Sequence, residues 1–78
     1  MTKADKRIRK MRQNPKNVRF DDVDAVLLAL GFRKRQRGSH AVYTLNQWRI
    51  TVPARKPFIL QVYVKELLAL LDEILGSE

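Results

Sequence analysis

Residues 32–53 read FRKRQRGSHAVYTLNQWRITVP, and their apolar and polar side chains alternate with a period of two. That period belongs to a half-buried strand rather than to a helix. Two interruptions divide the segment. Gly38 and Ser39 suit a two-residue hairpin loop, and Asn46 and Gln47 suit a second. The spacing predicts strands over 32–37, 40–45 and 48–53, joined as an antiparallel meander, with Pro53 ending the third.

Alternation also sorts the side chains, because directly opposed residues share a face. The loops set Arg37 against His40, Arg35 against Val42 and Arg33 against Thr44. They likewise set Leu45 against Trp48, Tyr43 against Ile50 and Ala41 against Val52. Phe32, Lys34, Gln36, Ala41, Tyr43, Leu45, Trp48, Ile50 and Val52 then share the core face. Arg33, Arg35, Arg37, His40, Val42, Thr44, Arg49 and Thr51 share the solvent face. A slip of one residue would reverse a strand, yet Ala41, Tyr43 and Leu45 orient the middle strand independently of either loop.

Helical periodicity flanks this segment. Ala4, Ile8 and Met11 form a narrow stripe in a basic helix over 3–12, which Asn14-Pro15 ends. A second helix is expected from Asp21, capped by that carboxylate, with Asp22 and Asp24 against the positive end of its dipole. Val23, Val26, Leu27 and Leu30 face inward, and Gly31 takes the position after the C-cap. A last helix from about 62 to 75 carries Val64, Leu67, Leu68, Leu71, Ile74 and Leu75 on one stripe, closed by Gly76. The fold expected is α+β, a basic helix followed by α-β-β-β-α, with the helices on one face of the sheet.

Composition narrows the function. Seventy-eight residues make one small domain. With no cysteine there is no disulfide or thiolate metal site, as befits a reducing cytoplasm, and a single histidine excludes a multi-histidine zinc site. The most apolar run, residues 67–71, is too short to span a bilayer, so a soluble protein is expected. Sixteen basic against eight acidic residues give a net charge of +8, which points to a polyanionic partner, nucleic acid first. The bases crowd residues 1–20, while residues 66–78 hold only acids among their charged groups.

On the solvent face, four arginines of one sign repel one another, whereas a face built only for solubility mixes signs. Arginine forks match phosphate oxygens, so Arg33, Arg35, Arg37 and Arg49 are candidate RNA-binding residues, with Arg55 and Lys56 extending the footprint. His40 is the candidate catalytic group: an imidazole among phosphate-binding side chains, after a tight turn, can take the proton of a ribose 2′-hydroxyl. Ser39 has no base beside it and is read as a turn residue. Tyr43 and Trp48 are read as packing rather than as stacking platforms.

The run GFRKRQRGSHAVYTL, followed by RITVP and a basic pair, resembles the HicA toxins of bacterial and archaeal toxin–antitoxin systems over residues 20–75. The resemblance implies a fold similar to the double-stranded-RNA-binding domain for residues 20–78, with residues 1–19 as an added basic helical extension. It also implies ribosome-independent endoribonuclease cleavage of mRNA with no metal or other cofactor, His40 as the catalytic residue and Gly38 and Ser39 as its supporting turn. A cognate HicB-like antitoxin is the implied protein partner. The chain departs from the pattern at Ala41 and Ala54-Arg55, where many members carry further histidines. Two other readings stay open: a non-catalytic RNA- or DNA-binding module of the same fold, and a domain whose basic face binds an acidic protein.

Overall fold

The structure is a computed structural model that describes residues 2–54 and 57–76. The order is α1 (Lys3–Gln13), α2 (Phe20–Ala29), β1 (Arg33–Arg37), β2 (His40–Leu45), β3 (Trp48–Pro53) and α3 (Gln61–Leu75). The three strands form one antiparallel sheet in the order β1-β2-β3. Arg37 pairs with His40, Arg35 with Val42 and Arg33 with Thr44, while Leu45 meets Trp48, Tyr43 meets Ile50 and Ala41 meets Val52. This is the register that the two loops imply. The chain is thus α+β in the order α-α-β-β-β-α.

Local chemistry explains each boundary. Gly38 adopts a φ of 55° while Ser39 does not enter the left-handed region, the pattern of a II′ hairpin loop. Asn46, at a φ of 54°, takes the positive-φ position of the second hairpin loop, and asparagine is among the few side chains enriched at positive φ. At the end of α2, the Phe32 N–H donates to Leu27 O and the Gly31 N–H to Leu28 O. With Gly31 at a φ of 96° and Phe32 buried, this is a complete Schellman motif, so one glycine both ends α2 and aims β1.

The start of α2 differs from the sequence expectation. The helix begins at Phe20, and the carboxylate of Asp22, not Asp21, accepts the Arg19 N–H. An acid at the third helical position reaches back to the cap better than one at the first turn's outer edge. The start of α3 is uncapped by any side chain, and its first residue is Gln61. At its far end Leu75 is half exposed instead of joining the stripe.

The core lies between the sheet and the helices. Ala41, Tyr43, Ile50 and Val52 are buried on the sheet's inner face against Val23, Val26 and Leu27 of α2 and Val64, Leu67 and Leu71 of α3. β1 is different: every one of its residues is exposed, including Lys34 and Gln36 on the core side. Two connecting residues, Val18 and Ile59, are also buried and are joined by the Ile59 N–H to Val18 O.

α1 is not loosely appended. Ile8 and Met11 are buried in the same core, and its basic groups reach across to the neighbouring helices, Arg7 to Asp22 and Arg12 to Asp72. Exposed ion pairs of this kind add little, so the apolar contact holds the helix. Truncation of a buried methionine costs about 2–5 kcal/mol. Met11→Ala is therefore expected to lower the whole unfolding transition by about that amount in urea denaturation. An unchanged midpoint would show α1 to be dispensable.

Candidate nucleic-acid interface

On the outer face the register arranges the side chains in three ranks across the sheet. They are Arg33·Thr44·Arg49, Arg35·Val42·Thr51 and Arg37·His40·Pro53. Adjacent ranks stand two residues apart, about 7 Å along the strand. Thr44, Arg49, Thr51 and His40 are exposed and Val42 half-buried, while their neighbours Ala41, Tyr43, Ile50 and Val52 are buried. The proposed face is therefore the solvated one.

Arg33, Lys34, Arg35, Arg37, Val42, Thr44 and Arg49 line a shallow depression of about 490 Å³ on this face. Among the described residues, no carboxylate pairs with Arg33, Arg35, Arg37 or Arg49, whereas Arg7 and Arg12 of α1 both have one. The reason is visible in the sequence: residues 25–65 contain no aspartate or glutamate. Arg49 also borders a smaller hollow against α3 that Glu66 and Glu73 line.

His40 shares the face but lies at its end, beside Arg37 and Pro53, and does not line the depression. Among the described residues no side chain hydrogen-bonds to its imidazole. Gly38 and Ser39 act as a turn: Gly38 O accepts from Gln36 Nε2 at 3.2 Å, and Ser39 O accepts the Ala54 N–H at 2.7 Å. That second bond ties the residue after β3 to the loop before His40. Arg55 and Lys56 lie outside the described residues. No group of acidic residues or histidines able to hold a metal occurs among the described residues. Nor does any described helix have the length and apolarity to cross a membrane.

One buried-side network went unread in the sequence. Asp24, expected only as a dipole partner, accepts the Tyr43 hydroxyl at 2.6 Å and pairs with Lys34 Nζ at 2.8 Å. Lys34 also stands 5.4 Å from the centre of the Phe20 ring. Together these contacts bolt β1 and β2 to α2 from the core side, leaving the outer arginines free to face a ligand. The helix periodicity placed Asp24 on α2 but held no sign that it would meet Tyr43. A second hollow, also unforeseen, lies between α1 and α2, where Lys6, Arg7, Lys10, Asn14, Asn17 and the acid Asp22 surround about 200 Å³ over Met11 and Val18.

No protein-family model, curated protein or solved structure matches this chain.

The network makes stability depend on pH at both ends. Burial raises the Asp24 pKa, but the hydrogen bonds from Lys34 and Tyr43 outweigh it and hold the carboxyl below its ordinary 3.8. Burial, with the Asp24 carboxylate beside it, pushes the Tyr43 phenol above its ordinary 10.0. A lowered acid contributes stability that is present above pH 3.8 and disappears as pH falls through its folded value. A raised phenol contributes stability that is present below pH 10.0 and is lost as pH rises beyond it. Unfolding free energy measured from pH 2 to 11 should fall at both limits, and Tyr43→Phe should flatten the alkaline limb. An alkaline limb of unchanged slope in that variant would dissociate Tyr43 from the effect.

Proposed function

We propose that the chain is an RNA-cleaving enzyme of the HicA toxin kind, which grips RNA on the outer face of its sheet. The observation that carries this reading is the placement of Arg33, Arg35, Arg37 and Arg49 with His40 on one exposed sheet face, whose own strand residues include no acid. Unpaired guanidinium groups held at fixed strand spacing bind successive phosphates in bidentate fashion. The Thr44 and Thr51 hydroxyls between them offer neutral contacts to ribose and phosphate oxygens.

In the reaction, the His40 imidazole accepts the proton of a ribose 2′-hydroxyl. The 2′-oxygen attacks the adjacent phosphorus, and the bond from phosphorus to the 5′-oxygen breaks. A proton passes to the departing 5′-oxygen, leaving a cyclic phosphate and a 5′-hydroxyl. Arg37 is the cross-strand neighbour of His40, and in this reading it stabilises the charge that gathers on the phosphoryl oxygens. A HicB-like antitoxin with an acidic surface would cover this face in the resting state, in the cytoplasm where both the toxin and mRNA reside.

A second reading is a non-catalytic RNA- or DNA-binding module. It is favoured by the position of His40 outside the arginine-lined depression, with no carboxylate among the described residues paired to the ring.

The two readings separate in one experiment. Purified protein and its His40→Ala variant are incubated with a defined RNA in a metal chelator, and cleavage and binding are followed together. The variant is expected to cleave roughly 10²–10⁴-fold more slowly while binding persists. Binding by both proteins without cleavage by either would establish the module and remove the enzyme. Equal cleavage by parent and variant would remove His40 from the chemistry.

A further inference from the structure

The open side of β1 has its own chemistry. Among the described residues β1 is an edge strand with β2 on one side and no strand on the other, and all five of its residues are exposed. The turn from Arg37 to His40 closes with the main-chain bond that joins its first and last residues. Hydrogen-bonded pairs alternate along an antiparallel ladder, so Arg35·Val42 and Arg33·Thr44 are bonded pairs as well. Lys34 and Gln36 therefore turn their main-chain N–H and C=O groups away from β2, where no described residue bonds them. They are donors and acceptors spaced for another strand.

The opposite edge is not equivalent. The same alternation along β3 turns Arg49, Thr51 and Pro53 outward, and proline has no N–H to give. β1 is thus the edge with a full set of groups to offer. Its side chains decide what can join it. A second copy of β1 would set cation against cation, because four of the strand's five residues are Lys or Arg. A strand with an acid at every second position would instead face Arg33, Arg35 and Arg37 on the outer side. On the inner side Lys34 is already paired with Asp24, so an acid there has nothing to gain.

We infer that β1 is a docking edge for an extended segment of a partner protein with acidic residues at alternate positions, added as a fourth antiparallel or parallel strand. The main-chain groups of Lys34 and Gln36 bind its backbone, and the arginines read its charge pattern. Such a strand takes Arg33, Arg35 and Arg37 away from any nucleic acid on the outer face, so protein and RNA compete. The inference does not depend on cleavage at His40.

The probe is a synthetic seven-residue peptide alternating Glu and Val, with a control of equal composition in which the glutamates form one block. On titration into the full chain, the Lys34 and Gln36 amides should gain protection from hydrogen exchange, and the alternating peptide should bind more tightly than the control. Gln36→Pro removes one outward N–H without touching a bond to β2, and Gln36→Thr retains it. The proline variant should lose roughly tenfold in peptide affinity, with the threonine variant close to the parent and RNA binding similar in all three. Equal peptide binding by the proline variant and the parent would reduce the contact to side-chain charge and overturn the proposal. So would equal affinity for the two peptides, absence of binding, or unprotected Lys34 and Gln36 amides. Exchange on the parent protein decides the matter independently of how well the proline variant folds.

Discussion

The middle strand determines the rest of the molecule. β2 is bonded on both sides, and Ala41 and Tyr43 are fully buried beneath it. A strand cannot rotate two buried side chains inward without presenting His40, Val42 and Thr44 outward. The loops at Gly38 and Asn46 transmit that choice to β1 and β3, and the ranks of cationic side chains follow. The Tyr43 hydroxyl adds a polar lock, since a buried phenol bound to the Asp24 carboxylate cannot slip by one residue without stranding both groups.

Charge is segregated along the same lines. Among the described residues the acids belong to the helices, where Asp22 caps α2 and Asp22 and Asp72 neutralise α1. The acid-free stretch from 25 to 65 supplies the whole sheet. Like charges gathered on one face destabilise the isolated domain, so the arginine ranks are not explained by folding. A polyanion relieves that repulsion and releases its own counterions, which couples affinity to salt. The exposed β1 edge meets the same need in another way, because its cations deter self-association of a strand whose five residues are all exposed.

Much of this was legible in residue order. The three strands, both loops, the full register and the separation of Tyr43 from His40 follow from a period of two punctuated by turn residues. What was hidden is long-range. Ile8 and Met11 marked a stripe on a basic helix, but no local signal tells a stripe that joins the core from one at its margin. Lys34 and Gln36 were assigned to the core face by parity, and β1 nonetheless emerges exposed: none of its residues joins the buried cluster, although Lys34 pairs with Asp24 of α2. The pairing of Asp24 with Tyr43 and Lys34 spans separate elements, which periodicity does not register. For the candidate site, the sharing of a face was readable, whereas the offset of His40 from the depression needed coordinates.

The central claim is that RNA lies across the outer face of the sheet. Nuclear magnetic resonance mapping of a short single-stranded RNA, made uncleavable by 2′-O-methylation, tests it most directly. The account expects the perturbed amides and side chains to cluster at Arg33, Arg35, Val42, Thr44, Arg49 and Thr51, with α3 unaffected. Perturbations confined to Lys6, Lys10, Asn14 and Asn17 between α1 and α2, with a silent sheet, would contradict it.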